Sequence, residues 1–199
     1  MSRNPDRLVL FTDAVVAIAV TLLVLPLVDV VAESKTEGLS ATEVFTEHRA
    51  QFWTFLLSFV VIARFWLVHH RVFEHVRQYT TRLIQVNLIW LLVIVLLPFP
   101  TEIIGTYPAD RFTAGFYIGT ILVLSLCQTV LVLLIRRHPE IENPDNPVTR
   151  GEVINSLVTA GLFATAFVLA ALVPGVNFWA LFLLFLTPAI SRPLINRKP

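Results

Sequence analysis

The sequence predicts an all-α membrane protein of six transmembrane helices with both termini cytoplasmic, and three observations carry that expectation. Apolar residues make up 56% of the 199 positions and charged residues only 15%, where a soluble domain carries roughly 25% charged residues. The apolar residues gather into runs of about 20, the length that crosses a hydrocarbon core of roughly 30 Å. Lysine and arginine fall in alternate connecting segments, as expected when positive loops are retained on the cytoplasmic side.

The first span covers about residues 8–31, with Thr12, Asp13, Thr21 and the near-terminal Asp29 as its polar residues and Pro26 as a kink. Its run exceeds the 7 to 15 residues of a usual signal-peptide core, and Asp6 and Asp13 interrupt the usual charge pattern, so it reads as a retained helix. The second span covers about 51–70, the third 81–105, the fourth 112–135 and the fifth 153–173. Pro174, Gly175, Val176 and Asn177 form a turn before a last span over about 178–195, shortened or broken by Pro188 and Pro193. Residues 1–199 therefore read as one six-helix transmembrane domain.

Orientation follows from the basic residues. With the N-terminus inside, the inner set is Arg3, Arg7, Arg71, Arg77, Arg82, Arg136, Arg137, Arg150, Arg192, Arg197 and Lys198, against Lys35, Arg49 and Arg111 outside. Arg64 is left within the second span. A net charge of +1 and the lack of a basic block beside aromatic residues argue against a nucleic-acid partner. Cys127 is the only cysteine, so neither an intrachain disulfide nor a cysteine metal site is available. The outer first loop carries Glu33, Glu37, Glu43 and Glu47; it reads either as a solvated acidic loop or as one that concentrates cations at a mouth.

Charges within hydrocarbon cost about 2.5 to 3.5 kcal/mol each on insertion scales, so they call for a partner or a watery neighbour. Asp13 lies roughly 8 Å inside the inner end of the first span and Arg64 roughly 9 Å inside that of the second, at about 1.5 Å per residue. Asn87 on the third span reaches the same depth. The expectation is a helix-anchoring cluster of Asp13, Arg64 and Asn87, with Arg7, His69 and His70 at its edge; it serves packing alone or lines an ion path. His69, His70, Glu74 and His75 do not have the His-Glu-x-x-His spacing of a zinc hydrolase. They read as a titratable helix end, so no metal site is expected. No nucleophile elbow, phosphate loop or dinucleotide glycine pattern appears, and no catalytic residue is assigned.

Ile18, Leu22 and Leu25 share a face at i, i+4, i+7 spacing, with Thr21 beside them. The segment Arg7-Leu-Val-Leu-Phe11-Thr12-Asp13 resembles the first-helix signature Arg-x-x-x-Phe-Ser-Asp of the transmembrane protein 175 family of potassium channels, with threonine in place of serine. Asn87 and the later Pro98-Phe99-Pro100-Thr101 add to the resemblance. It implies a potassium-preferring or weakly selective cation channel of the bacterial single-unit form, a homotetramer in the cell membrane around four first helices. It further implies that Ile18, Thr21, Leu22 and Leu25 form an apolar constriction, with potassium or another monovalent cation as the permeant ion and no cofactor. An ion-coupled transporter and a non-transporting membrane scaffold are the alternatives. The chain has no Thr-Val-Gly-Tyr-Gly segment, so a carbonyl-ring filter of that kind is not encoded.

Overall fold

The computed structural model describes residues 5–173 and 177–196, and among them the chain is all-helical apart from loops and one isolated bridge between Val76 and Glu142. The elements are α1 Asp6–Leu22, α2 Leu25–Thr36, α3 Ala41–Glu47, α4 Arg49–Glu74, α5 Thr81–Leu96, α6 Pro98–Thr106, α7 Arg111–Arg137 and α8 Arg150–Leu172. A 3₁₀ segment, Asn177–Leu186, then leads into α9, Thr187–Asn196. Five helical stretches among the described residues are long and apolar enough to cross a membrane: Asp6–Thr36, Arg49–Glu74, Thr81–Thr106, Arg111–Arg137 and Arg150–Leu172. The expected turn at Pro174, Gly175 and Val176 lies outside the described residues, as do Arg3, Arg197 and Lys198.

Prolines and caps set the boundaries. Pro26 and Pro98 cannot donate a backbone hydrogen bond, so the first and third spans each break ahead of them and restart with the proline in the first turn. At the first break the bonding tightens: Leu23 N donates to Val20 O and Val24 N to Thr21 O, both at 3.3 Å. Ser40, Asp110 and Thr149 start α3, α7 and α8 with reciprocal capping boxes. At the end of α2, Gly38 takes φ 79°, which lets Leu39 N return to Ser34 O at 3.0 Å.

The last segment departs from the expected single helix. Ten residues are wound as 3₁₀ before ten α-helical ones that contain Pro193. The expected interruption by Pro188 and Pro193 is therefore joined by a change of winding upstream of both. The segment packs back on α7 and α8, where Ala180 meets Ala114, Ile118, Ala166 and Ala170.

Helix α7 is the centre of the bundle. Of its most apolar window 56% is buried, against 28% for α1 continued through α2 and 22% for α4, which leaves those two at the periphery of the subunit. Trp90, Ile94, Leu97, Tyr117, Ile121 and Leu124 form the main core with Val16, Ala19 and Ile62. Two hydroxyl clusters bridge helices, one of them within this core and one between α7 and α8. Ser58 Oγ lies 3.0 Å from Tyr117 OH and 2.7 Å from Thr101 Oγ1, while Ser156 Oγ donates to Thr129 Oγ1 at 2.8 Å. In hydrocarbon such groups have no water to fall back on, so each cluster fixes the register of its helices.

Candidate functional site: the two faces of the first helix

Helix α1 has one face buried and one face bare. Thr12, Val16, Ala19 and Leu23 follow one another at three- or four-residue spacing and are buried. Thr12 is the polar member of that stripe, and its hydroxyl accepts from Asn87 Nδ2 of α5 at 2.9 Å. The carbonyl oxygen of Asn87 in turn accepts from His69 Nε2 of α4 at 2.7 Å. That bond fixes the proton of His69 on Nε2. The His69 ring is stacked between Trp90 and Phe73, with centroids 4.2 and 4.5 Å away. One buried asparagine thus joins three helices, with His69, Asn87 and Thr12 all at most 1% exposed.

Asp13 is held differently from the sequence-based expectation. Its Oδ1 accepts from Trp66 Nε1 at 2.8 Å. Arg64 is exposed on another face of α4 and forms no ion pair or hydrogen bond among the described residues. The expected cluster is corrected accordingly: Asn87 and His69 belong to it, Arg64 does not, and Trp66 takes the place assigned to Arg64. His70 is exposed and touches the network only through its ring, 5.9 Å from that of Trp66. Arg7 and Phe11 are also exposed, so within the subunit the motif's inward contacts come from Thr12 and Asp13.

The indole of Trp66 is therefore a partner that sequence reading missed. Its signal was available, because a buried indole N–H usually finds an acceptor and Asp13 lies at matching depth, although Trp90 Nε1 is buried without one among the described residues. The bond makes a graded prediction. Asp13→Asn keeps an oxygen that accepts from Trp66, so folding and assembly should fall only modestly; Asp13→Leu and Trp66→Phe should each lower them by about 1 to 3 kcal/mol. Thermal unfolding in detergent is the check, and Asp13→Asn losing as much as Asp13→Leu would rule out the indole bond as the anchor.

The other face of α1 and α2 carries Phe11, Ile18, Thr21, Leu22, Leu25 and Val28, all exposed. Ile18 is 61% exposed, Leu25 51% and Leu22 38%. Thr21 Oγ1 donates to Ile18 O at 2.7 Å, which turns that hydroxyl's proton back onto the helix and leaves oxygen lone pairs outward. All four residues expected at a constriction share this bare face.

Near the C-terminal end of α2, Ser34 Oγ meets His48 Nε2 at 3.2 Å, and Phe45 stacks on Phe52 at 4.6 Å. Glu43 is held below the ordinary carboxyl value by its hydrogen bonds to the Ser40 side chain and backbone. Because the folded value is depressed, this cap contributes above the unfolded value and is lost as pH falls through the folded one. Among the described residues no group of three or more His, Cys, Asp or Glu side chains is gathered closely enough to hold a metal ion.

Known proteins bear on this arrangement. Residues 7–98 match the model of the family described as endosomal/lysosomal potassium channel TMEM175. A potassium channel of Chamaesiphon minutus is 31% identical over 123 residues, covering 60% of each chain, and one of Streptomyces collinus is 28% identical over 72% of this chain and 71% of its own. The endosomal/lysosomal proton channel TMEM175 of Danio rerio is 22% identical over 71% of this chain but only 27% of its own length. The chain thus spans between about a quarter and three fifths of the first curated relatives it matches. Its fold is similar to the crystal structure of a TMEM175 homolog from Chamaesiphon minutus, with a TM-score of 0.71 and 24% identity over 96% of this chain and 98% of that one. The first-helix motif, the matched segment that contains it and the shared helical fold agree: over residues 7–98 the chain is similar to the TMEM175 family, whose model is described as a potassium channel.

Proposed function

We propose that this chain is the subunit of a potassium-preferring or weakly selective cation channel, a homotetramer whose pore is lined by α1. The constriction is a ring of Ile18, Leu22 and Leu25 with Thr21 adjoining. The observation that carries this reading is the two-sidedness of α1: the inward polar bonds of Thr12 and Asp13 fasten it to α4 and α5, while Ile18, Leu22 and Leu25 stand exposed on the opposite side. A helix fastened on one side can hold its free side at a symmetry axis. Four apolar side chains meeting there make a narrow collar that sheds water and resists ions until it widens. The names of the bacterial relatives support potassium as the permeant ion.

The six-span topology with both termini cytoplasmic belongs to the same proposal, in a multi-pass protein of a bacterial plasma membrane. Its support is one of length. Ten 3₁₀ residues rise about 20 Å and ten α-helical residues about 15 Å, and their sum exceeds the roughly 30 Å of a hydrocarbon core. The eleven basic residues assigned to the inner side then stay on one side.

Flux from purified protein in liposomes tests the function. Potassium movement that sets a diffusion potential without a second ion is the expected result. Flux that requires a coupling ion would make the protein a carrier, and no flux under any imposed gradient would make it a scaffold.

A further inference from the structure

We propose that His75 is a protonation-dependent clamp: as an imidazolium it fastens residues 138–149 to the ends of α4 and α8, and on losing its proton it gives up one of its two bonds. The residue follows α4 directly and is 6% exposed. Its Nδ1 lies 2.8 Å from the carbonyl oxygen of Asn146, and its Nε2 lies 2.9 Å from Glu152 Oε1. Both partners are acceptors, and neither a carbonyl nor a carboxylate has a proton to give. A neutral imidazole carries a single N–H and satisfies one of them; only the imidazolium satisfies both.

The clamp is built into a packed junction. The second oxygen of Glu152 accepts from both Thr149 N and Thr149 Oγ1 at 2.7 Å, so the carboxylate that holds the ring also caps α8. Either side of the ring, Asn143 N donates to His75 O at 2.7 Å and Arg77 N to Ile141 O at 2.8 Å. Val76, Ile141 and Val148 are buried against Leu83, Leu131, Val132 and Ile135. Residues 138–149 are therefore a docked plug that joins the ends of α4, α5, α7 and α8, not a loose connection.

The other charged groups of the junction are engaged elsewhere or face solvent. Glu142 Oε1 accepts from Val148 N at 2.9 Å and lies 3.9 Å from Arg136, while His138 pairs with Glu140 at 3.0 Å. Glu74, Arg77, Arg137, Asp145 and Arg150 are exposed. Among the described residues Glu152 is the one carboxylate against the ring. The sign follows from the donor count: the plug is held by both bonds when the ring carries two N–H groups and by one when it carries a single N–H, so its hold loosens from acid to base. Helix α4 carries Trp66 and His69 towards this same end, so the clamp acts on the helix that anchors α1.

Hydrogen–deuterium exchange on the full chain in nanodiscs, between about pH 5.5 and about pH 8 and corrected for intrinsic exchange, reads the clamp without reference to conduction. Amides of residues 141–149 should be protected roughly tenfold more at the acid end. His75→Gln, which has no proton to lose in this range, should abolish the difference. Glu152→Gln, which keeps the shape but removes the charge, should diminish it and serves where the first variant does not fold. Equal corrected protection at both ends in the unaltered protein, or an undiminished difference in either variant, would overturn the proposal.

Discussion

Replacing Ile18 with asparagine is expected to raise cation flux by about an order of magnitude and to relax the preference for potassium, equivalent to removing about 1.4 kcal/mol of barrier. The reasoning is physical. A collar of isoleucine side chains offers no hydrogen bond to water, so a narrow passage through it empties and an ion must shed its hydration without compensation. An amide at the same place retains water and supplies both donor and acceptor. Ile18 is 61% exposed and lies away from the packed stripe of Val16 and Ala19, so the change leaves the subunit's core intact. Leu92→Asn on α5 is the matched control, because Leu92 is similarly exposed, at 58%, on a different helix. Single-channel or liposome flux decides it: unchanged conductance and selectivity in Ile18→Asn, or an equal effect from Leu92→Asn, would remove Ile18 from the constriction.

The largest loss of stability is expected from Asn87→Leu. Hydrogen bonds between membrane helices contribute on average about 0.6 kcal/mol, because an unfolded chain within the bilayer finds other partners. Asn87 differs in leaving two buried partners stranded at once, the Nε2–H of His69 and the hydroxyl of Thr12. Each orphaned group costs about 1 to 3 kcal/mol, so a total of about 2 to 6 kcal/mol is expected, well above the average pair. His69→Phe should be milder, since an aromatic ring keeps the stacking on Trp90 and Phe73 and gives up one bond. Unfolding midpoints in a denaturing detergent series order the two variants. Asn87→Leu at or below His69→Phe would show that the asparagine is not the hub.

How much of this was legible in the sequence depends on direction. The bonds of Asp13 to Trp66 and of Asn87 to His69 and Thr12 join residues at one height, and depth along a helix axis reads directly from residue number at about 1.5 Å per residue. Direction around the axis does not. Arg64 and Trp66 differ by about 3 Å in depth but point about 200° apart at 100° per residue, so a choice made on charge selected the wrong side of α4. The helix starts at Ser40, Asp110 and Thr149 are set by local capping boxes, a signal that the apolar runs used to place the spans do not carry. The bond from His75 to Glu152 spans 77 positions and is set by tertiary packing alone. The same holds for the 3₁₀ winding of Asn177–Leu186, whose composition reads simply as an apolar run.

The break at Leu23 and Val24 divides the first span into two arms with separate moorings. The N-terminal arm is bolted at Thr12 and Asp13, whereas the C-terminal arm rests on Leu27, Val30 and the contact of Ser34 with His48. Because Pro26 supplies no N–H, the joint lacks the bond that residue 26 of a regular helix would donate, and it is held by the contacts of Val24 with Thr21, Leu27 and Val28. In mechanical language the span is a jointed lever with a fixed foot. Leu25 lies beyond the joint and Ile18 before it, so in the pore proposed above a tilt of the C-terminal arm would move Leu25 while Ile18 stayed with the foot.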